Sequence, residues 1–373
     1  MLMQMDVDSK TRFARLKAVA LRAMARTGGA YEIEIEQETL RRAVELLEPP
    51  QEARDALILG AATPTLVQSM AGRFAMGRVR VVPGASDESA AGLREHAGVE
   101  VVDGDVTDLS LDPEAVSTAL TEQPVRSLSQ MTALRRELQR RAASSPWIAD
   151  DSVDYVVADL QLNLLTRSQG SLCLGELYRV LRSRTGRLEA IVLLADEPLV
   201  DAGRGVRLGE DVRAAWLPTE AEFLDVVAAS GLHGTTLQMV GARPVLVAAG
   251  KEVRLWKMTA YKGKEGPCWD FGHAVVYRGP WSEVADDDGH RYRRGDRVAV
   301  CEKTFRLLGS APYAGQFDEL HCYAEPEPDA ARLFDCNTPA IRKPAVTKGL
   351  VPLGRSDGMS PGRGDDVQAR CDC

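Results

Sequence analysis

The 373-residue sequence predicts an α/β fold: a Rossmann-like doubly wound sheet followed by a small β-rich C-terminal domain. Two observations carry that expectation. From about residue 36 to 250, short and nearly continuous apolar runs alternate with helical stretches, the pattern of a parallel sheet covered on both faces. After residue 256 the texture changes to glycines, aromatics and turns between short alternating runs. A 45% hydrophobic share with 27% charged residues fits a globular chain of this kind, neither disordered nor fibrous.

The elements follow in order. Residues 1–35 form a leader in which Phe13, Leu16, Ala20 and Met24 share one helical face. Arg12, Arg15, Lys17, Arg22 and Arg26 stand among them with no acid between, so an amphipathic helix and a transit-peptide pattern are both open. Residues 36–255 form the Rossmann-like domain. Arg41–Leu47 is helical and stops at Pro49-Pro50. Strands are expected at Ala56–Leu59, Arg78–Val82, Val99–Val102, Val153–Val157 and Leu188–Leu194, with helices at Ser86–His96, Ser168–Arg182 and Glu220–Ser230. Thr235–Val240 and Arg243–Ala248 read as a closing pair around Gly241-Ala242. A long insertion, 106–150, carries a helix at Leu128–Ala143 and suits a lid or an interface. Residues 256–323 read as the small β-rich domain, with His273–Arg278 and Arg297–Val300 as strands. Residues 324–373 read as a flexible tail ending Cys-Asp-Cys. Trp147, Trp256, Trp269 and Trp281 read as core or interface aromatics.

Composition narrows the function classes. The net charge of −8 offers no general attraction to nucleic acid or to an anionic membrane. No apolar run approaches the ~18 residues of a membrane span, and the chain reads as cytoplasmic. Hydrolase elbow, P-loop and HExxH patterns are missing. Of seven cysteines, only Cys173 precedes residue 268. That odd, lopsided count argues for reduced thiols or a soft-metal site instead of a disulfide scaffold.

Several motifs carry a resemblance. Asp150-Asp151-Ser152-Val153-Asp154-Tyr155-Val156-Val157, then Leu162-Asn163-Leu164 and Glu176-Leu177-Tyr178-Arg179-Val180-Leu181, resemble the fourth-strand and fifth-strand region of class I S-adenosylmethionine-dependent methyltransferases. Tyr261-Lys262-Gly263-Lys264, Gly266-Pro267-Cys268 and Tyr277-Arg278-Gly279-Pro280-Trp281 resemble the arsenite methyltransferase-like subgroup. So do Asp286-Asp287-Asp288-Gly289-His290, Val300-Cys301-Glu302-Lys303-Thr304 and Phe334-Asp335-Cys336. The resemblance runs from about residue 36 to the end.

It implies S-adenosylmethionine as cofactor, with Gly60, Ala62, Asp105 and Val106 as cofactor-binding positions. The glycine-rich turn departs from the family pattern: Ile58 stands where an acid is expected, Ala62 replaces a glycine, and Pro64 removes an N–H. Thiols expected after the fourth strand and before the sixth are missing, and Cys173 fits a buried helix face instead. No catalytic residue is assigned. Cys268, Cys301, Cys336, Cys371 and Cys373 are the candidate soft-metal or metalloid thiols, with burial as small core residues the alternative for the first two. Asp286-Asp287-Asp288 with His290 suits an Asx turn better than a hard-cation loop.

The expected function is methyl transfer to a thiol-bound or otherwise soft nucleophile, on a small-molecule substrate or metalloid. The alternative is a catalytically inactive homologue that serves as a partner methyltransferase subunit or binds a soft metal.

Overall fold

The structure, a computed structural model, describes residues 31–60, 64–74, 77–83, 98–102, 104–199, 206–208, 213–248, 250–338 and 340–353. The leader helix, the helix expected at Ser86–His96, Ala62, Cys371 and Cys373 lie outside the described residues. The chain divides into two units, the first ending at Lys262 and the second beginning at Gly263.

The first unit opens with β1 (Tyr31–Ile33) and continues through β2 (Asp55–Gly60), β3 (Arg78–Pro83), β4 (Val99–Val101), β5 (Tyr155–Asp159) and β6 (Arg187–Ala195). Then come β7 (Val206–Leu208), β8 (Arg213–Ala214), β9 (Leu232–Met239), β10 (Leu246–Ala248) and β11 (Lys251–Lys262). The main sheet runs β10-β11-β6-β5-β2-β3-β4, with β9 also paired to β11. Strands β4, β3, β2, β5 and β6 are parallel, and β11 lies antiparallel between β6 and the β9 and β10 strands. This is the doubly wound α/β arrangement that the alternating apolar runs imply.

Alternation along each strand shows why those runs are continuous. Ala56 and Ile58 of β2, Tyr155 and Val157 of β5, and Ile191 and Leu193 of β6 enter one core. Their neighbours Leu57, Leu59, Val156, Ala158, Val192 and Leu194 enter a second core on the opposite face. Leu66, Met70 and Phe74, in and just after the helix Pro64–Arg73, cover the first face. Leu174, Leu177 and Val180 of the helix Arg167–Val180, and Phe223, Val226 and Val227 of the helix Glu220–Ala229, cover the second. Both of those helices start on capping boxes, Thr166 with Gln169 and Thr219 with Glu222. The insertion forms two helices, Pro113–Glu122 and Leu128–Ser144.

The runs read as a closing pair do not pair with each other; both pair with the 12-residue β11. Polar residues such as Lys257, Thr259 and Lys262 masked that strand in the sequence, although all three are buried in it. The first unit accordingly extends through Lys262 instead of ending at residue 255. Of the core and interface alternatives for Trp281, an exposure of 68% excludes the core.

The second unit is built of short strands. β13 (Ala274–Tyr277) is flanked by β16 (Arg297–Ala299) and β17 (Phe317–Leu320), and a hairpin of β14 (Glu283–Ala285) and β15 (Arg291–Arg293) intervenes. β12 (Trp269–Asp270) pairs with β18 (Arg332–Leu333). The expected flexible tail is corrected through residue 353. Arg342 is fully buried and ion-paired with Asp270 at 2.7 Å, and Val346 is buried in the short helix Pro344–Thr347. An unpaired guanidinium cannot be buried cheaply, so that pair pins the segment. Among the described residues, no helix is long and apolar enough to cross a membrane.

Candidate functional site

The parallel strand order reverses between β2 and β5, and the carboxyl ends of strands at such a switch point are where doubly wound α/β sheets take ligands. Gly60 and Asp159 face each other in register there. Gly60 has φ +106°, and a Cβ on it would lie 2.2 Å from the Asp159 carbonyl oxygen. The need for glycine is thus set by β5 itself, whatever ligand binds at this end of the sheet. Leu160 follows in the left-handed region at φ 56°, a conformation rarely seen outside glycine, asparagine and aspartate. Directly after it, Gln161 is 5% exposed, and its Oε1 has no hydrogen-bond partner among the described residues. A buried acceptor left without a partner costs roughly 1–3 kcal/mol, which a ligand N–H would recover.

Asn163, two residues on, braces this end of the sheet. Its amide donates to the Leu193 carbonyl at 2.9 Å and the Trp216 carbonyl at 3.1 Å, while its Oδ1 accepts from Leu193 N–H at 2.8 Å. The side chain is fully buried and ties β5, β6 and the segment through Trp216 together. The other cofactor positions read from the sequence are engaged differently. Ile58, where an acid was expected, is fully buried in the sheet core. The Asp105 carboxylate accepts from Thr107 N–H at 2.8 Å and from the Thr107 hydroxyl at 2.7 Å, closing an Asx turn. Val106 is packed in the second core with Leu109 and Ile148. Gln161 and Asn163 were not singled out as site residues; the Leu162-Asn163-Leu164 run marked the place without revealing the roles.

In the second unit the cysteine expectation takes a definite form. The sulfurs of Cys268, Cys301 and Cys336 all lie within 4.8 Å of one another, and the residues are 4%, 1% and 6% exposed. None is in a disulfide. The hydrogen bond with Cys336, with the Thr304 hydroxyl and backbone N–H adding to it, lowers the Cys301 thiol below the ordinary range. The same bond, with burial, pushes the Cys336 thiol up. Cys173 stands apart, fully buried in the first unit, where burial pushes its thiol up to about 12.

Of two neighbouring clusters, the first is internally satisfied, while in the second the buried Glu302 Oε2 has no hydrogen-bond partner among the described residues. Asp286 accepts from the Asp288 and His290 amides at 3.1 and 2.9 Å, from His290 Nδ1 at 2.9 Å and from the Tyr292 hydroxyl at 2.9 Å. The cation beside it is the Lys264 ammonium, bonded to Asp288, so the triple aspartate is turn chemistry. His273 accepts from Cys322 N–H at 3.1 Å through Nδ1 and sets Nε2 3.2 Å from Glu302, with its ring stacked on Phe305.

Residues 264–351 match a family described as a domain of unknown function (DUF8838). The chain is similar to an arsenite methyltransferase of Aquipseudomonas alcaligenes, 29% identical over 187 residues, which are 46% of this chain and 52% of the relative. The chain thus spans about half the length of the curated relative it matches. Among solved structures it is similar to an arsenic(III) S-adenosylmethionine methyltransferase from Chlamydomonas reinhardtii, at 17% identity and TM-score 0.39, over 85% of this chain and 98% of that one. It is also similar to the 1,6-didemethyltoxoflavin-N1-methyltransferase of Burkholderia thailandensis with bound S-adenosylhomocysteine, at 16% identity and TM-score 0.39, over 70% and 92%.

Proposed function

We propose that the chain is an S-adenosylmethionine-dependent methyltransferase whose acceptor is a soft nucleophile, a thiol-bound or trivalent arsenic species of the kind the A. alcaligenes relative is named for. The observation that carries this reading is the buried Gln161 Oε1, without a hydrogen-bond partner among the described residues, directly after β5 at the carboxyl ends of β2 and β5 where the strand order reverses. The residues fit a ligand that brings N–H donors to that point. The cofactor supplies an electrophilic methyl group on a sulfonium, and the transfer is an in-line displacement that needs proximity and alignment more than acid or base catalysis. Gln161 accepts a hydrogen bond from the cofactor. Gly60 and Leu160 shape the turn against it, and Asn163 keeps this end of the sheet rigid through β6.

A second reading, a non-catalytic homologue acting as a partner methyltransferase subunit, is favoured by one observation. Ile58 occupies the core at the position where the family places an acid. Isothermal titration of the full chain with S-adenosylmethionine separates the two readings. Saturable binding that weakens about tenfold in Gln161→Met supports the enzyme, since one lost hydrogen bond is worth about 1–1.5 kcal/mol. Absence of any heat at millimolar cofactor eliminates it. Methylated product from arsenite and a thiol, detected by mass spectrometry, identifies the acceptor.

A further inference from the structure

We propose that the second unit carries a structural metal site in which Cys268, Cys301 and Cys336 hold one thiophilic divalent ion of the Zn2+ class. The three residues come from segments far apart in the chain. Cys268 precedes β12, Cys301 caps the helix Glu302–Leu308, and Cys336 follows β18. Their sulfurs nevertheless gather within 4.8 Å of one another. Thiolates on one tetrahedral zinc, each bound at ~2.3 Å, lie about 3.8 Å apart, so a small inward adjustment completes the set.

Three features separate this cluster from ordinary core cysteines. A cysteine used as a small apolar residue packs into the core around it, whereas these three form a cluster of their own with Phe334 as the partly buried hydrophobic neighbour. The apolar core of the unit, around Val275, Tyr277, Tyr292 and Phe305, is separate. Beside Cys301 and Cys336 lies a cavity of ≈ 30 Å³, lined also by Thr304, His290, Tyr292 and Phe334. That is room for about one small ligand, which the fourth position of a three-thiolate ion requires.

Burial then decides between structural and substrate use. All three residues are at most 6% exposed, which closes the sulfurs to a substrate-sized molecule, although a fourth position left to a small ligand differs from the four-protein-ligand set of most structural zinc sites. The unit has reason to need one. Its strands run only two to four residues, and its core cluster is small. Units of this size commonly gain stability from a metal that ties distant segments together. As each sulfur–metal bond forms, the thiol proton leaves to solvent and nothing is oxidised or reduced. The site stands independently of methyl transfer and is tested without cofactor.

The experiment uses the full-length, reduced chain stripped with chelator, then titrated with Zn2+ against a chromophoric competitor and with Co2+ as a spectroscopic probe. One equivalent is expected, with thiolate-to-cobalt charge transfer and the visible bands of a tetrahedral ion. Affinity is expected to fall on the order of 100-fold or more in Cys301→Ser and Cys336→Ser. It should be unchanged in Cys322→Ser and in Cys371→Ser with Cys373→Ser. Retained binding in Cys301→Ser, or binding lost with the terminal pair instead, overturns the assignment. Should the serine variants fail to fold, the unmutated chain still decides. Zn2+ should protect Cys268, Cys301 and Cys336 together from alkylation in mild denaturant, and equal labelling with and without Zn2+ refutes the site. Arsenite protecting the three thiols where Zn2+ and Co2+ do not would reassign them to a metalloid and equally overturn a structural ion.

Discussion

Gly60 shows how one residue can satisfy an expectation for a different reason. The sequence marks it as the surviving glycine of a cofactor turn, yet the atom that forbids a side chain is the Asp159 carbonyl oxygen, 2.2 Å from where a Cβ would stand. Gly60→Ala is therefore expected to cost at least ~2 kcal/mol of stability even without cofactor, from a strained φ and a backbone clash. Urea denaturation of the unliganded chain measures it, and a loss below 0.5 kcal/mol would show that β5 yields easily (~0.5 being the ordinary surface scatter). Gln161 makes the opposite case. Its Oε1 is buried and unpartnered, so Gln161→Met should leave the melting temperature of the free protein unchanged or slightly raised. A destabilised variant would mean that the amide already has a partner. Cys173, fully buried with its thiol pushed up to about 12, should resist iodoacetamide at pH 8 in the native chain. Rapid native labelling, read by peptide mass mapping, would contradict that burial.

Single strands and hairpins concentrate charge in ways the apolar pattern does not announce. Glu189 sits fully buried in β6, where it accepts from Tyr155 and from the Glu48 amide at 2.9 Å and pairs with Arg187 at 2.6 Å and Lys257 at 3.0 Å. Lys257 comes from β11, so the network stitches the antiparallel strand to the parallel sheet. Glu189→Ala strands two cations and should destabilise by roughly 3–5 kcal/mol, the usual consequence of halving a buried pair. A loss under 1 kcal/mol in denaturant melts would mean that water reaches Lys257. In the β14–β15 hairpin, burial pushes the Asp286 carboxyl up, but the His290 hydrogen bond, the Lys264 ammonium and the Tyr292 hydroxyl together hold it at about 2. The folded value is depressed, so this stability is fully present above the ordinary carboxylate range near 4 and is lost as pH falls through 2. A depression of nearly two units is worth about 2–3 kcal/mol. Between pH 5 and 2.5, Asp286→Asn should therefore lose less stability than the parent chain; equal losses would remove Asp286 as the acid-sensitive group.

For the molecule as a whole, what the sequence revealed tracks how much apolar burial each part uses. The strands β2, β3, β5 and β6 were legible because Val, Leu and Ile fill both faces of the sheet. The long β11 was not, because Lys257, Thr259 and Lys262 are buried by polar partners that lie far away in the chain. The segment after residue 324 looked mobile by composition, yet Arg342 and Cys336 tether it through an ion pair and a thiol cluster that only the folded unit assembles. That contrast yields a prediction on the scale of the units. If an ion joins Cys268, Cys301 and Cys336, its removal should loosen the three segments that carry them and leave the main sheet's own apolar cores intact. Hydrogen exchange of the full-length chain, followed by mass spectrometry with and without Zn2+, reads both at once. Peptides around these cysteines should exchange at least about tenfold more slowly with the ion, the equivalent of ~1.4 kcal/mol of local stability. Peptides covering β2, β5 and β6 should not change. A uniform slowing across both units would point to a general effect of the ion on the chain, and unchanged exchange around the cysteines would mean that the apolar core of the second unit holds those segments by itself.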